Sequence, residues 1–345
     1  MTDDVSETAN DAAAPGRKRT GATLADVARA AGVSTATVSR ALNTPNLLSK
    51  ETLARVHASI ASTGYIPALT TGAVITNRSR LVAMLLPPTP LALFDATVKA
   101  VVADLDAGGY QTLFGIYSRD ATREQLVTQI LSRRPGGLIL IGLPVLPGIR
   151  ELFVESGLPI VETWELPRNP IDMVSGISHE DIGITLGNFL LRKGYRRPMT
   201  FSTHGRGLVR RYGMSRVLVE AGFHEAPNVE HPMPGTVGEG RRSLAAVLDA
   251  GERPDVILCA SDWLAAGVLI EAQARGLRVP DDLAVVGFGD FDFAAELEPA
   301  LTTVRIDGGA IGHRAAQLML RALNDDRPVR RVVDVGFTLI ERGST

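Results

Sequence analysis

Residues 23–43 read TLADVARAAGVSTATVSRALN, and this stretch decides how the start of the chain folds. Thr23 is placed to cap a helix, and Asp26 three residues on completes a capping-box pattern. Leu24, Val27, Ala28 and Ala31 follow at i, i+3, i+4 and i+7, one apolar helical face. Ala31-Gly32-Val33 interrupts that face, and Gly32 suits the left-handed backbone of such a break. Ser34 is placed to cap a second helix, whose Val38, Ala41 and Leu42 turn inward. Thr35, Ala36, Ser39, Arg40 and Asn43 then face out. They are small, polar or cationic, as a helix entering a DNA groove requires.

The flanking residues support this reading over two core helices of an unrelated bundle. Ser49 starts a third helix with Leu53, Val56 and Ile60 as its apolar stripe, enough for a small three-helix unit. Between Arg17 and Ile66 there are seven cations (Arg17, Lys18, Arg19, Arg29, Arg40, Lys50, Arg55) and two anions (Asp26, Glu51), an excess of five, whereas the whole chain carries −2. A basic end on a near-neutral chain is the electrostatic footprint of a phosphate-backbone binder.

A length of 345 residues predicts two or three domains. Hydrophobic content of 45% and a mean hydropathy of +0.11 suffice for a large core. The longest apolar stretches, such as residues 138–146, are broken by Gly and Pro and too short to span a bilayer. Residues 1–19 are expected to form a disordered tail, being polar, Ala-rich and without periodicity. They lack the apolar segment of a signal peptide, so a cytoplasmic location is expected. The single cysteine, Cys259, excludes an intrachain disulfide and a thiolate metal cluster; its apolar neighbours in VILCASD read as a buried strand.

From Leu81 onward, apolar runs alternate with amphipathic stretches, the spacing of βαβ units. Strands are predicted at 81–86, 110–116, 137–142, 159–163, 173–178, 198–202, 256–260 and 283–288. Continuous apolar strands imply parallel sheets covered by helices on both faces. Eight or more such strands fit two doubly wound lobes with a cleft between them, and ligands bind outside the carboxyl ends of such strands.

Motifs for an enzyme are missing. There is no GxxxxGK[ST] phosphate loop, no GxGxxG after the first strand and no GxSxG elbow. The six histidines show no metal spacing. No cofactor is expected, and an enzyme or a non-regulatory sugar-binding protein is a remote alternative.

TLADVARAAGVSTATVSRALN followed by GYIP at residues 64–67 resembles the lac repressor (LacI/GalR) family of bacterial transcription regulators. VPDDLAVVGFGDFD at 279–292 and PALTTVRID at 299–307 are similar to that family's effector domain. GYQTLFG, GGLILIG, PIVETWEL and the closing GFTLIERGS resemble the branch containing gluconate-utilisation repressors. The resemblance implies a helix-turn-helix domain at 20–67, a hinge at 68–80 and a two-lobed, periplasmic-binding-protein-like effector and dimerisation domain at 81–345. Three crossings near Ser178, Ile306 and Gly336 would divide that domain into lobe 1 (81–177 and 307–335) and lobe 2 (178–306 and 336–345).

The function implied is a homodimeric repressor on a palindromic double-stranded operator, released by a sugar or sugar-acid effector. A corepressor-type ligand is the alternative of opposite sign. The DNA-contacting candidates are Thr23, Ser34, Thr35, Ala36, Thr37, Ser39, Arg40, Asn43, Lys50, Arg55, Tyr65 and, in the hinge, Val74. Read from its residues alone, ALTTGAVITNRS at 68–79 is a poor helix, since Gly72 costs about 1 kcal/mol against Ala and five residues are β-branched. The resemblance makes it a hinge helix that wedges Val74 into the minor groove, where the family carries leucine.

The effector candidates implied by the resemblance are Phe94, Trp164, Arg210, Ser261 and Asp290. Arg210, in the run RRYG, matches an arginine that holds hydroxyls or acids, and its fork suits a carboxylate. Trp164 and Phe94 would wall the cleft. Ser261-Asp262 stands where sugar-binding members show Asn-Asp, and Gly289-Asp290 departs from a common aspartate. Fewer polar acceptors beside a retained arginine argue for an acidic ligand. Ser178-His179-Glu180-Asp181 reads as a helix cap without chemistry.

Overall fold

The computed structural model describes residues 22–65, 79–87, 91–116, 123–142, 147–232, 235–326, 328–329 and 331–345. The N-terminal tail at 1–19, nearly all of the hinge and its Val74 lie outside the described residues. The chain divides into two compact units, Met1–Arg78 and Ser79–Thr345.

Among the described residues the first unit has three α-helices, α1 (Leu24–Ala31), α2 (Thr35–Asn43) and α3 (Lys50–Thr63). The capping box at α1 is formed in both directions between Thr23 and Asp26, and Gly32 ends the helix in the left-handed conformation at φ 64°. Ser34 accepts from the Thr37 N–H and Ser49 from the Thr52 N–H, so each following helix has its side-chain cap. Val27, Ala28, Ala31, Val38, Ala41 and Val56 form the core, with Leu24, Leu53, Ile60 and Tyr65 packed at its margin. Each buried valine contributes about 1.5–3 kcal/mol. With so few of them, caps worth about 1 kcal/mol each are a sizeable part of this unit's stability.

The second unit contains two parallel sheets. Lobe 1 holds β1 (Leu81–Leu86), β2 (Gln111–Ile116), β3 (Gly137–Leu140), β4 (Ile160–Thr163), β5 (Met173–Gly176) and β11 (Val332–Asp334), in the order β11-β5-β4-β3-β1-β2. Alternation along β1 serves two faces. Val82 and Met84 join Val101, Leu105, Ile311 and Met319 on one side. Ala83 and Leu85 join Val127, Ile130, Ile149 and Phe153 on the other. Helices α4 (Asp95–Ala107) and α11 (Gly308–Leu323) cover the first face, α5 (Arg123–Ser132) and α6 (Pro147–Glu155) the second.

Lobe 2 holds β6 (Pro198–Thr203), β7 (Asn228–His231), β8 (Val256–Cys259) and β9 (Ala284–Val286), in the order β7-β6-β8-β9. Helices α7 (His179–Lys193) and α8 (Arg206–Glu220) lie on one face, α9 (Val237–Asp249) and α10 (Asp262–Ala274) on the other. Strand β10 (Thr303–Arg305) pairs antiparallel with β12 (Thr338–Ile340) and continues lobe 2 through bridges to Val286 and Gly289. The chain therefore passes between the sheets three times, after β5, after β10 and after β11.

The eight apolar runs all become strands: β1 keeps its bounds, β6 gains one residue and the other six lose one to three. Strands β7, β10 and β11 have no counterpart among the predicted strands, and β12 answers to the C-terminal segment that the resemblance gives to lobe 2. All four are three or four residues long and partly exposed, too short for an apolar period to show.

Candidate effector cleft and DNA-contacting face

On the helical unit, Thr35, Ala36 and Arg40 are exposed along α2, and Lys50 and Arg55 along α3. The other candidates are partly committed to the fold. The Thr23 hydroxyl donates to Asp26 Oδ2 at 2.6 Å, and Ser34 Oγ lies 2.9 Å from Thr37 Oγ1. Ser39 is half-buried, and Asn43 closes α2. Tyr65 packs against the helical core, so its ring acts in packing here.

The cleft of the second unit is about 440 Å³, within the size range of small-molecule sites. It lies at the carboxyl ends of both sheets. Lobe 2 contributes the starts of three helices, α8, α9 and α10, through Arg206, Thr236 and Ser261. Positive helix ends thus converge on one space. Thr236 is used in a capping box with Glu239, and Ser261 caps Leu264. Phe94 and Trp164 wall the cleft from lobe 1, their rings edge to face at 5.0 Å.

Two glycines explain why Arg210 stands where it does. A methyl group on Gly183 of α7 would sit on the Arg210 carbonyl, and one on Gly213 would sit on the Glu180 carbonyl. The two helices therefore touch backbone to backbone, which brings His179 beside Arg210. Arg210 Nη1 donates to His179 Nδ1 at 3.2 Å, and Nη2 donates to the Ala260 carbonyl at 3.0 Å. The His179 Nε2–H donates to the Trp164 carbonyl at 2.9 Å, which leaves Nδ1 as the acceptor. The guanidinium also lies 3.8 Å from the Phe288 ring centroid. Burial, and secondarily Arg206, lowers the Arg210 pKa to about 9, so it stays charged at neutral pH. Burial and the same two arginines hold the His179 imidazole well below its ordinary range, hence neutral.

Trp164 is both wall and anchor. It sits at φ 71°, a left-handed conformation costly for a large side chain. Its indole N–H donates to Thr97 Oγ1 at 3.1 Å, which in turn donates to the Gly308 carbonyl.

Asp290 corrects the sequence reading. It does not line the cleft; its carboxylate is 6% exposed and ion-paired with Arg305 and Arg342. At φ 53°, the backbone turns the side chain toward these two arginines. His179, Arg206, Trp263, Phe288 and Phe291 line the cleft and had not been singled out as ligand candidates. Arg206 could have been found as the residue one helical turn before Arg210 on the same face. His179 had only its place in a capping turn. No carboxylate or carboxamide side chain occurs among the described lining residues. The site offers many donors, few acceptors and two cations. Among the described residues no cluster of His, Cys, Asp and Glu could hold a metal ion, and no helix is long and apolar enough to cross a membrane.

Known proteins resemble the whole of this arrangement. Residues 23–68 match the bacterial regulatory proteins of the lacI family, and residues 188–345 match the periplasmic binding protein-like domain. The HTH-type transcriptional regulator GntR of Pseudomonas aeruginosa is 32% identical over 94% of this chain and 95% of its own length. A LacI-family regulator from Silicibacter pomeroyi superposes with a TM-score of 0.84 at 28% identity, covering 94% of this chain and 99% of that one. The crystal structure of GntR from Chromobacterium violaceum gives 0.71 at 32% identity, over 76% of this chain and 98% of that one. Helical head, two-lobed body and cleft together agree with these relatives, and the chain belongs to the lacI family of bacterial transcriptional regulators.

Proposed function

We propose that this regulator represses a palindromic operator as a homodimer and is released by a sugar acid held in the cleft. The observation that carries the acid is the presence of both Arg206 and Arg210 in a lining that, among the described residues, has no carboxylate or carboxamide side chain. A neutral pyranose presents hydroxyl donors that need acceptors, and the cleft is short of them. A carboxylate matches the guanidinium forks and the helix N-termini. The resemblance of the sequence to gluconate-utilisation repressors points the same way.

DNA reading falls to Thr35, Ala36 and Arg40, with Lys50 and Arg55 on phosphates. Two heads on a dimer match two half-sites. The dimer is supported by the open edge of the lobe 1 sheet. There β2 leaves Phe114 49% and Ile116 53% exposed, an apolar strand edge that a second copy would cover. Ligand in the cleft draws the lobes together and shifts that face, with Val74 of the hinge wedging into the minor groove in the repressing state. Coupling of this kind is about 1–3 kcal/mol and reciprocal.

Calorimetric titration of gluconate, galactonate and glucarate, with sorbitol as neutral control, tests the reading against wild type and Arg210→Ala. Acid binding lost in the variant, with operator binding retained, is the expected result. Tightest binding of the neutral polyol would overturn it. Gel shifts with the bound acid settle the sign, since tighter operator binding would make the ligand a corepressor.

A further inference from the structure

Arg206 and Arg210 lie one helical turn apart but are held differently. Both terminal nitrogens of Arg210 donate to groups of lobe 2, His179 and Ala260. Arg206 starts on lobe 2 and ends against lobe 1. Its Cζ is 5.7 Å from the Phe94 ring centroid, and a methyl group built on Gly142 would lie 2.8 Å from its Nη1. Both neighbours belong to lobe 1. Nη1 is buried and has no hydrogen-bond acceptor among the described residues. The carboxylate acting on it is Glu165, also of lobe 1, but that carboxyl forms no ion pair with it and is itself pushed up by burial. Arg210 adds repulsion from the same helix.

A cation covered in this way loses its hydration without a full replacement. Drawing lobe 1 away returns the guanidinium to water. A bound anion removes the reason to open. We propose that Arg206 is a charge gate, a residue through which lobe 1 closes over the cleft only when the ligand brings an anionic group. This rests on the acid reading above and adds that the acid is sensed through closure as well as through affinity. A neutral molecule of the same shape would fill the cleft and leave the guanidinium uncompensated, so it would not act as an effector.

The chain has two tryptophans, and both Trp164 and Trp263 line the cleft. Acrylamide quenching of their fluorescence in the full-length protein therefore reports closure. In wild type, gluconate should lower the quenching constant and sorbitol should not. Arg206→Met keeps the length and removes the charge. It should show the low quenching constant with no ligand added, and should bind gluconate at least tenfold more weakly. Arg206→Gln, neutral and polar, carries the same expectation and replaces the methionine variant if that does not fold. A neutral variant with wild-type quenching and wild-type gluconate affinity overturns the gate. In that case loss of gluconate binding in Arg210→Ala would still uphold the acid reading. If none of gluconate, galactonate and glucarate binds wild type, the acid reading and the gate fall together.

Discussion

Asp262 offers the sharpest quantitative test of how the cleft is braced. It is fully buried at the start of α10, behind the lining. Its carboxylate accepts from Thr303 Oγ1 at 2.6 Å and from the Phe291 N–H at 2.9 Å, and its own N–H donates to the Phe288 carbonyl at 3.0 Å. These bonds tie Phe288, the platform under Arg210, and Phe291 to α10. Burial nevertheless outweighs them and raises the carboxyl from 3.8 to about 6. A raised acid favours the folded state when protonated. The stabilisation is fully present below the unfolded value of 3.8 and is lost as pH rises through about 6. The whole difference is worth about 3 kcal/mol, of which about 1.4 kcal/mol falls between about pH 5 and about pH 7.5. Asp262→Asn fixes the neutral form. Its amide oxygen can accept from Phe291 while its NH2 donates to Thr303, whose hydroxyl is free to turn. Urea unfolding followed by tryptophan fluorescence, at three pH values across that range, is the assay. Other titrating groups cancel in the difference between the two proteins. The wild type should lose about 1.4 kcal/mol relative to the variant as pH rises. Parallel curves would mean that Asp262 does not titrate in this range, and the argument from burial would fail.

Three further outcomes are expected. Arg40→Ala should relax base preference at one position in each half-site, by about 1–3 kcal/mol of discrimination in operator selection, while an unchanged selected sequence would move the recognition helix elsewhere. His179→Phe removes the acceptor that holds Arg210 Nη1; it should weaken gluconate binding while leaving operator affinity in gel shifts unchanged, and equal calorimetric affinity would count against a positioning role. Thr23→Ala should lower the melting transition of the helical head in the full chain, by about 1 kcal/mol of capping energy, and an unchanged transition would show the capping box to be redundant.

Much of this was legible in the chain because single residues fix single backbone events. Thr23, Ser34 and Ser49 cap helices by their own chemistry, and Gly32 and Gly64 end them at positive φ. Long buried strands announce themselves by apolar content. Strands such as β12 do not, because what holds them is a partner more than thirty residues away, as Leu339 is held by Val304. The cleft was read in part. Arg210, Phe94, Trp164 and Ser261 do line it. His179 was passed over because a capping turn accounted for it, and its bond to Arg210 spans 31 residues of sequence. The signal lay in two glycines, Gly183 four residues after His179 and Gly213 three after Arg210, whose missing side chains let the helices meet. Asp290 was misplaced for a related reason. Its position beside Gly289 suggested the cleft, but the arginines that claim it, Arg305 and Arg342, come from later segments.

The two cationic sites of this chain differ in one physical respect that separates their behaviour. Arg40, Lys50 and Arg55 are exposed on the helical unit. In the proposed complex Lys50 and Arg55 meet phosphates and Arg40 a base edge, all beside water, where mobile ions screen charge beyond about 10 Å at 0.1 M salt. Operator affinity should therefore fall linearly on a log–log plot, with a slope of about −0.9 for each phosphate neutralised. Arg206 and Arg210 sit in a cleft whose walls are Phe94, Trp164, Phe288 and Phe291. Salt ions do not enter between a buried fork and a carboxylate in contact with it, so screening there is weak. Gluconate affinity should change by less than about threefold between about 0.05 and 0.2 M salt, while operator affinity drops by orders of magnitude over the same range. Fluorescence titration of gluconate and gel-shift titration of operator on one protein preparation measure both. A gluconate affinity as steep in salt as the operator's would place the acid on the surface, away from the two buried arginines.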